Sequence, residues 1–306
     1  MTFLSLVLAL LAERAWPLRE DNRLLLWFGR YAGAVEDGIN GGQYRHGVIA
    51  WTLAVAPLLA VTLATQYLLD GFGPLAEIAW NVAVLNATLG FRRFSGYFTE
   101  VELALRAGDL AAARGRLTQW SRGSAAEWTA EEAARVAIEQ GLLASHRHLF
   151  AILAWFVVLG PAGAVLYRAC AVLAGLWGNR NEPDFGAFGT FAAHAFSWID
   201  WAPARLTAAG FAAAGDFADA VYCWRTQAAG WKSRADGVIL ASGGGALGVR
   251  LGGTLHEEGS VRYRPELGTG DDPDVEHLLQ AAGLVWRLLV LWLFLIFLVS
   301  LAHALS

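Results

Sequence analysis

The stretch LFAILAWFVVLGPAGAVLYRACAVLAGLW (149–177) decides the fold of this chain. It is uncharged apart from Arg168, and it is longer than the roughly 20 residues that one straight membrane helix needs. Gly160 and Pro161 interrupt the run in its middle, and Tyr167 follows shortly after them. The stretch therefore predicts a membrane segment with a kink or a re-entrant turn, whose non-helical backbone faces protein or water.

The composition of the whole chain supports a membrane protein. Of its 306 residues, 56% are hydrophobic and only 16% are charged, whereas a soluble domain carries about 25% charge. The mean hydropathy is +0.41. Many of the 14 tryptophans and 7 tyrosines lie near the ends of apolar runs, as in an interfacial aromatic belt. A net charge of −4 gives no reason to expect nucleic-acid binding. The lipid bilayer is the expected partner.

Other apolar stretches complete the predicted membrane region. They are a short N-terminal segment ending near Leu11, and the stretches 47–69, 75–91, 187–214 and 284–305. The DGFGP turn joins the second and third of these into a helical hairpin. The stretch 187–214 carries ionisable residues, so we expect it to line a cavity or lie buried in protein. We predict an all-α, polytopic helical membrane protein with about five membrane segments, forming one integral membrane domain over 1–306.

Two polar regions, 92–148 and 215–283, are predicted to be cytoplasmic insertions of amphipathic helices and loops. In the first, Thr129 and Glu132 have the spacing of a capping box before a helical apolar pattern. Arginines concentrate in these regions and in 13–46, which places them on the cytoplasmic side by the positive-inside rule. The chain is therefore expected to cross a bacterial inner membrane several times and to end outside the cytoplasm.

Several polar residues have both a structural and a functional interpretation. Arg147 suits an anionic ligand at the membrane surface, and it equally suits a positive-inside anchor. The run SGGGALGVRLGG (242–253) is not a P-loop. Its glycines either expose N–H groups to a phosphate or allow close backbone packing. Asp200 is able to cap a helix, to pair with Arg205 or to take part in a binding site.

Several stretches, in order along most of the chain, resemble the cobinamide-phosphate synthase family of membrane proteins (CobD/CbiB). They are EVELALRAGDLAAARGRL (100–117), the helix leading to Glu139, LGPAGAVLYRA (159–169), IDWAPARL (199–206) and GALGVRLGG (245–253), with a looser match at 13–30. The resemblance implies an enzyme that joins adenosylcobyric acid to an aminopropanol or its phosphate, activating a carboxylate with ATP and magnesium. The candidate catalytic residues are Glu139 and Asp200. The candidate ligand-binding residues are Glu100, Arg147, Tyr167, Arg168, Arg205, Gly248 and Arg250.

The chain also departs from the family pattern. Glu139 is followed by QGLLASHRHLF where the family has further acids, and the family's Asn-Thr-Leu-Asp run after YRA is here CAVLAGLWGN. An Arg-x-Asp-Asp pattern is replaced by HAFSWID. Magnesium and phosphate chemistry depends on such hard oxygen ligands. The related AmpE membrane proteins, linked to signalling around β-lactamase induction, also lack these motifs and resemble the chain at Arg147, Trp155 and 199–206.

Three hypotheses follow. The leading hypothesis is an AmpE-like member that lacks synthase activity and has a signalling or auxiliary role. It would bind a corrinoid or an envelope-derived small molecule, without a metal or cofactor. The alternative is an active synthase in which Glu100, Glu139 and Asp200 hold magnesium for ATP. The third is a structural membrane protein. A homo-oligomer is compatible with all three.

Overall fold

The computed structural model describes residues 2–15, 23–121, 124–178, 180, 185–257 and 259–305, and this part of the chain is mainly helical. In chain order the helices and strands are α1 (Thr2–Ala15), α2 (Arg23–Ile39), α3 (Tyr44–Asp70), α4 (Pro74–Thr88), α5 (Phe91–Arg106), α6 (Leu110–Ser121), α7 (Ala130–Ser145), a π-helical turn (His146–Phe150), α8 (Ala151–Trp177), α9 (Thr190–Ala214), α10 (Phe217–Gln227), a 3₁₀ turn (Ala228–Gly230), α11 (Arg234–Leu247), β1 (Leu251–Glu257), β2 (Ser260–Leu267) and α12 (Val275–Leu305).

The predicted class, an all-α polytopic membrane protein, is confirmed. Within the described residues, three helical stretches are long and apolar enough to cross a membrane, namely Tyr44–Asp70, Ala130–Trp177 and Val275–Ala302. The helices α1 and α4 have 14 and 15 residues, which is short of the roughly 20 that a full span needs. The membrane segments predicted at the N-terminus and at 75–91 are therefore helices shorter than a full span.

The chain divides into two compact units. The first contains Met1–Gly90, Ala151–Pro203 and Ile296–Ser306, and the second contains Phe91–Phe150 and Ala204–Leu295. Both regions predicted to be polar insertions belong to the second unit. Each unit therefore combines segments that are distant in sequence.

In the first unit, α3 and α4 form the predicted helical hairpin. The helix α3 ends at Asp70, and Pro74 begins α4, a position where the missing N–H of proline costs no hydrogen bond. The core is made of side chains from α2, α3, α8, α9 and the segment before α9. Its largest members are Phe28, Val55, Leu173, Trp177, Phe185 and Phe188.

The predicted break in the long apolar run is present at Gly160. Its φ of +63° and ψ of −151° lie outside the helical range, and such a φ is freely available only to glycine. Pro161 follows and has no N–H to continue the helical bonds. Past the break the helix passes close to its earlier turn, because a Cβ on Gly163 would lie 2.1 Å from the carbonyl oxygen of Trp155.

In the second unit, α7 is buried along most of its length. The predicted capping box is confirmed, since the Glu132 N–H donates to Thr129 Oγ1 at 3.1 Å and the Thr129 N–H donates to Glu132 Oε2 at 2.8 Å. The strands β1 and β2 form an antiparallel hairpin with a bulge between Leu251 and Gly253. The prediction of helices and loops for 215–283 missed this hairpin.

The close approach at the break gives a test of the fold. We expect Gly163→Ala to lower the free energy of unfolding by about 1–3 kcal/mol, because the added methyl group must displace backbone. The matched control is Gly175→Ala in the same helix, where a Cβ meets no atom within 4 Å. Thermal unfolding in detergent compares the two variants, and equal midpoints would contradict the close approach.

Candidate functional site

The helix α7 carries three buried charged side chains on one face. Glu132, Arg135 and Glu139 are only 3%, 7% and 3% exposed. Their spacing of three and four residues places them on one side of the helix. Charged groups this deeply buried are costly unless each has a partner, so their contacts show what this face is for.

The partners of this face are the backbone groups along the free edge of β1. The N–H of Gly252 donates to Glu139 Oε1 at 2.7 Å, and Arg135 Nη2 donates to the carbonyl oxygen of Thr254 at 2.8 Å. Alternate residues of an edge strand direct these groups away from the neighbouring strand. Along α7, a carboxylate thus lies opposite a strand N–H, and a guanidinium lies opposite a strand carbonyl oxygen.

The contacts continue toward the tip of the hairpin. The backbone N–H of His256 donates to Glu132 Oε1 at 3.2 Å, and the Nδ1 atom of His256 lies 2.9 Å from the same oxygen. Beyond it, the N–H of Gly259 lies 3.1 and 2.9 Å from the two carboxylate oxygens of Glu127. An open strand edge is thus covered from its base almost to its turn, which protects it from pairing with another chain.

Arg264 on β2 completes the arrangement at the base. Its Nη1 donates to Glu139 Oε2 at 2.6 Å and its Nη2 donates to Glu139 Oε1 at 3.0 Å, so the pair is bidentate. The guanidinium also lies 5.6 Å from the centre of the Trp231 ring, within the range of a cation–π contact. With the bond from Gly252, Glu139 accepts three hydrogen bonds, so its carboxylate fastens the hairpin to α7.

Gly252 is the point at which this arrangement requires glycine. Its φ is +76°, and a Cβ would lie 2.0 Å from the carbonyl oxygen of Pro265. The glycine-rich run thus turns the chain into the bulge and brings the Gly252 N–H to Glu139. Earlier in the run, a Cβ on Gly245 would lie 2.6 Å from the carbonyl oxygen of Asp219, so the run also permits close backbone packing.

A second buried polar contact lies in the first unit. The hydroxyl of Tyr167 donates to Asp200 Oδ1 at 2.8 Å, and the two residues are 0% and 2% exposed. The indole N–H of Trp155 donates to the carbonyl oxygen of Ile199 at 3.1 Å. The stretches LGPAGAVLYRA and IDWAPARL, far apart in sequence, are therefore joined at their polar residues. Among the candidates, Tyr167 and Asp200 are brought into direct contact.

Three other candidate residues form ion pairs. Arg147 Nη2 lies 2.5 Å from Asp236 Oδ1, Glu100 Oε2 lies 3.0 Å from Arg116 Nε, and Arg250 Nη2 lies 2.7 Å from Asp272 Oδ2. The last two pairs are about half exposed, and such pairs contribute little to stability.

The remaining candidates occupy different surroundings. Gly248 ends α11 with a left-handed φ of +69°, and its carbonyl oxygen accepts the N–H of Asp271 at 3.1 Å. Arg168, next to Tyr167, and Arg205 in α9 are both half-buried. Gly248 thus has a helix-capping role, while the two arginines are partly exposed in apolar helices.

The carboxylates of the described segments do not form a ready-made metal centre. No group of three or more His, Cys, Asp or Glu side chains in these segments is arranged to hold a metal ion. Both oxygens of Glu139 are engaged by Arg264 and Gly252. Mg²⁺ usually takes only one or two protein carboxylates and completes its coordination shell with water and substrate phosphates. A magnesium site therefore does not require a cluster of three or more protein ligands.

Sequence reasoning missed Arg135, His256 and Arg264. The signal that could have found the hairpin is the alternation in SVRYRPEL (260–267), preceded by the turn-forming EEG. Alternation of polar and apolar residues bounded by glycine indicates a strand. The partner of Glu139 could not be read from sequence, because Arg264 lies far along the chain.

The Glu139–Arg264 pair provides a second test. We expect Glu139→Ala to destabilise the hairpin by about 3–5 kcal/mol, because it leaves a buried guanidinium without its partner. The control is Asp272→Ala, which breaks an exposed pair and should cost about 0–1 kcal/mol. Hydrogen exchange over 251–267 reports the local opening. Equal protection in the two variants would show that the pair does not fasten the hairpin.

Comparison with known proteins extends over almost the whole chain. The family model described as CobD/Cbib protein matches residues 6–285. A protein of Stutzerimonas stutzeri named cobalamin biosynthesis protein CobD is 39% identical, with 95% of each chain covered. Proteins of the same name from Chromobacterium violaceum and Mycobacterium tuberculosis are 38% and 30% identical, covering 94% and 84% of this chain and 94% and 82% of their own. No solved structure matches the chain significantly. The chain belongs to the CobD/CbiB family.

Proposed function

We propose that this protein is an active synthase of cobalamin biosynthesis that forms an amide between a corrinoid carboxylate and an aminopropanol or its phosphate. The observation that carries the proposal is the near-complete match, over 95% of both chains, to a relative named for cobalamin biosynthesis. The relatives reported above are named for this pathway. They favour the synthase over the signalling or auxiliary role, and they give no support to an AmpE-like assignment.

Asp200 is the candidate catalytic carboxylate in this proposal. In amide formation the attacking amine nitrogen gives up a proton as its bond to the carbonyl carbon forms, and a leaving group departs from that carbon. A carboxylate is a suitable acceptor for such a proton. Asp200 is buried and fixed by Tyr167. Tyr167 would act as a positioning residue for it.

Glu139 would have an indirect role, confined to the second unit. Its bonds to Arg264 and Gly252 hold the glycine-rich turn that precedes and begins β1. This turn belongs to a stretch that resembles the family, so we propose that its shape matters for binding a substrate. Glu139 would then act through the hairpin and not by contact with reacting atoms.

ATP and magnesium would supply the activation of the carboxylate. A magnesium ion that arrives with the nucleotide takes most of its oxygen ligands from phosphates and water, so the absence of a three-ligand cluster among the described residues is compatible with it. Arg168 and Arg205 are half-buried cations and are candidates for binding phosphate groups. The apolar spans favour a multi-pass location in the inner membrane.

The non-catalytic hypothesis makes a different prediction for the same protein. It expects a corrinoid to bind without any ATP-dependent reaction. Its support is the loss of several acids that the family pattern leads one to expect, including those after YRA. The two proposals differ in turnover and agree on binding, so turnover is the decisive measurement.

The test uses the full-length protein in lipid nanodiscs with adenosylcobyric acid, aminopropanol phosphate, ATP and magnesium. We expect amide product by mass spectrometry. Asp200→Asn should lower the rate by about 10²-fold or more because it removes a proton acceptor of the same shape. Tyr167→Phe should lower it by about tenfold because it removes one hydrogen bond to a charged group.

Asp219→Asn is the matched control, because it removes an exposed carboxylate in the first turn of α10, away from the candidate residues. Its rate should equal that of the wild type. Corrinoid binding without product in the wild type would reject the synthase and favour the auxiliary role. A fully active Asp200→Asn would reject Asp200 as the proton acceptor while leaving the synthase assignment intact.

A further inference from the structure

A proline inside α9 removes one of that helix's own hydrogen bonds. Pro203 lies within α9, and proline has no N–H to donate. In an α-helix the N–H of residue 203 would donate to the carbonyl oxygen of residue 199. That carbonyl belongs to Ile199, which directly precedes the buried Asp200. The turn that carries the candidate catalytic carboxylate therefore lacks one of its helical bonds.

The indole of Trp155 supplies a donor in place of the missing one. Its Nε1–H donates to the carbonyl oxygen of Ile199 at 3.1 Å. The ring of a proline also crowds the carbonyl of the residue four positions earlier, and a carbonyl freed in this way in an apolar helix needs a donor from a neighbouring helix or side chain. Trp155 belongs to α8, so the replacement bond joins α8 to α9 within the first unit.

Trp155 and Tyr167 act on consecutive residues of α9. Trp155 holds the backbone carbonyl of Ile199, and the hydroxyl of Tyr167 donates to Asp200 Oδ1 at 2.8 Å. A bond to the carboxylate alone fixes its orientation but leaves the backbone of its turn able to shift. A bond to the preceding carbonyl fixes that backbone. Together the two bonds define both the position of Asp200 and the direction of its carboxylate.

We propose that Trp155 is a positioning residue for Asp200, acting through the Ile199 carbonyl that Pro203 leaves without its helical donor. This role rests on the proposed function, in which Asp200 accepts the proton of the attacking amine. Alanine at position 203 would suit the helix interior better, but the carbonyl would then bond within α9. The proline and the tryptophan together move this hydrogen bond to the contact with α8, and a small displacement of a reacting group is costly in rate.

The test is a double-mutant cycle in the full-length protein, with the amide-forming assay in nanodiscs. Trp155→Phe keeps an aromatic ring but removes the indole N–H. It should lower kcat about fivefold and leave the KM for aminopropanol phosphate unchanged. In the Pro203→Ala background residue 203 again has an N–H for the carbonyl, so the same change should cost about twofold or less. A purely structural role of the ring would give the same loss in both backgrounds.

Trp198→Phe is the matched control. It makes the same change in the same stretch of α9, at a side chain that is 83% exposed, and its kcat should equal that of the wild type. Melting temperatures verify that each variant is folded.

The hydrogen bond itself is measured without turnover, by NMR of protein labelled with ¹⁵N at its tryptophan indoles. The signal that is absent from Trp155→Phe identifies Trp155. In Pro203→Ala this signal should move upfield and its hydrogen exchange should become faster, because the Ile199 carbonyl then has a donor in its own helix. An indole signal that Pro203→Ala leaves unchanged would show that the proline does not free this carbonyl for Trp155.

The kinetic outcomes separate this role from the proposed function. An active wild type whose kcat is matched by Trp155→Phe, or an equal loss in both backgrounds, would overturn the positioning role and leave the synthase assignment intact. A wild type that forms no amide would reject the synthase assignment, and the positioning role with it.

Discussion

The arrangement of the second unit depends on one constraint, that the outward-facing backbone groups of β1 need hydrogen-bond partners where the strand packs against α7. The buried stripe on α7 meets this constraint. Along the helix, Glu132 and Glu139 are separated by a rise of about 10 Å, and the strand residues they contact span about 13 Å. This approximate match allows one helix face to cover successive outward groups of the strand. Hydrophobic packing alone could not do so, because it leaves the N–H and C=O groups unpaired.

In the first unit, backbone groups also need partners outside their own helix, at the break in α8. The break at Gly160 interrupts the helical hydrogen bonds in a span, and such backbone is tolerated only against protein or water. Trp155 and Tyr167 lie on the two sides of the break, and both bond to the segment that contains Asp200. The break thus allows one helix to present two polar contacts to α9, and it explains why a glycine and a proline occur inside an apolar run.

The sequence was sufficient for features that depend on local periodicity. The hairpin of α3 and α4, the capping box at Thr129 and the break at Gly160 each follow from residues that are close together in the chain. Features that depend on distant partners could not be predicted. No residue near Glu139 in the sequence indicates that Arg264 is its partner. The β1–β2 hairpin was missed because β1 begins inside a glycine-rich run. The contact of Tyr167 with Asp200 was not predicted, because the two residues are 33 positions apart in the chain.

The absence of acids after Glu139 also has a different meaning once the contacts are known. The segment SHRH places His146 in a buried contact with Thr207, at 2.9 Å, and directs Arg147 to Asp236. The acid that balances this arginine is on α11, where its position in the first turn also suits the helix dipole. Basic residues in that segment therefore have structural partners of their own. Their presence is explained by these contacts within the second unit. It is therefore only a weak argument against chemistry at Asp200, which belongs to the first unit.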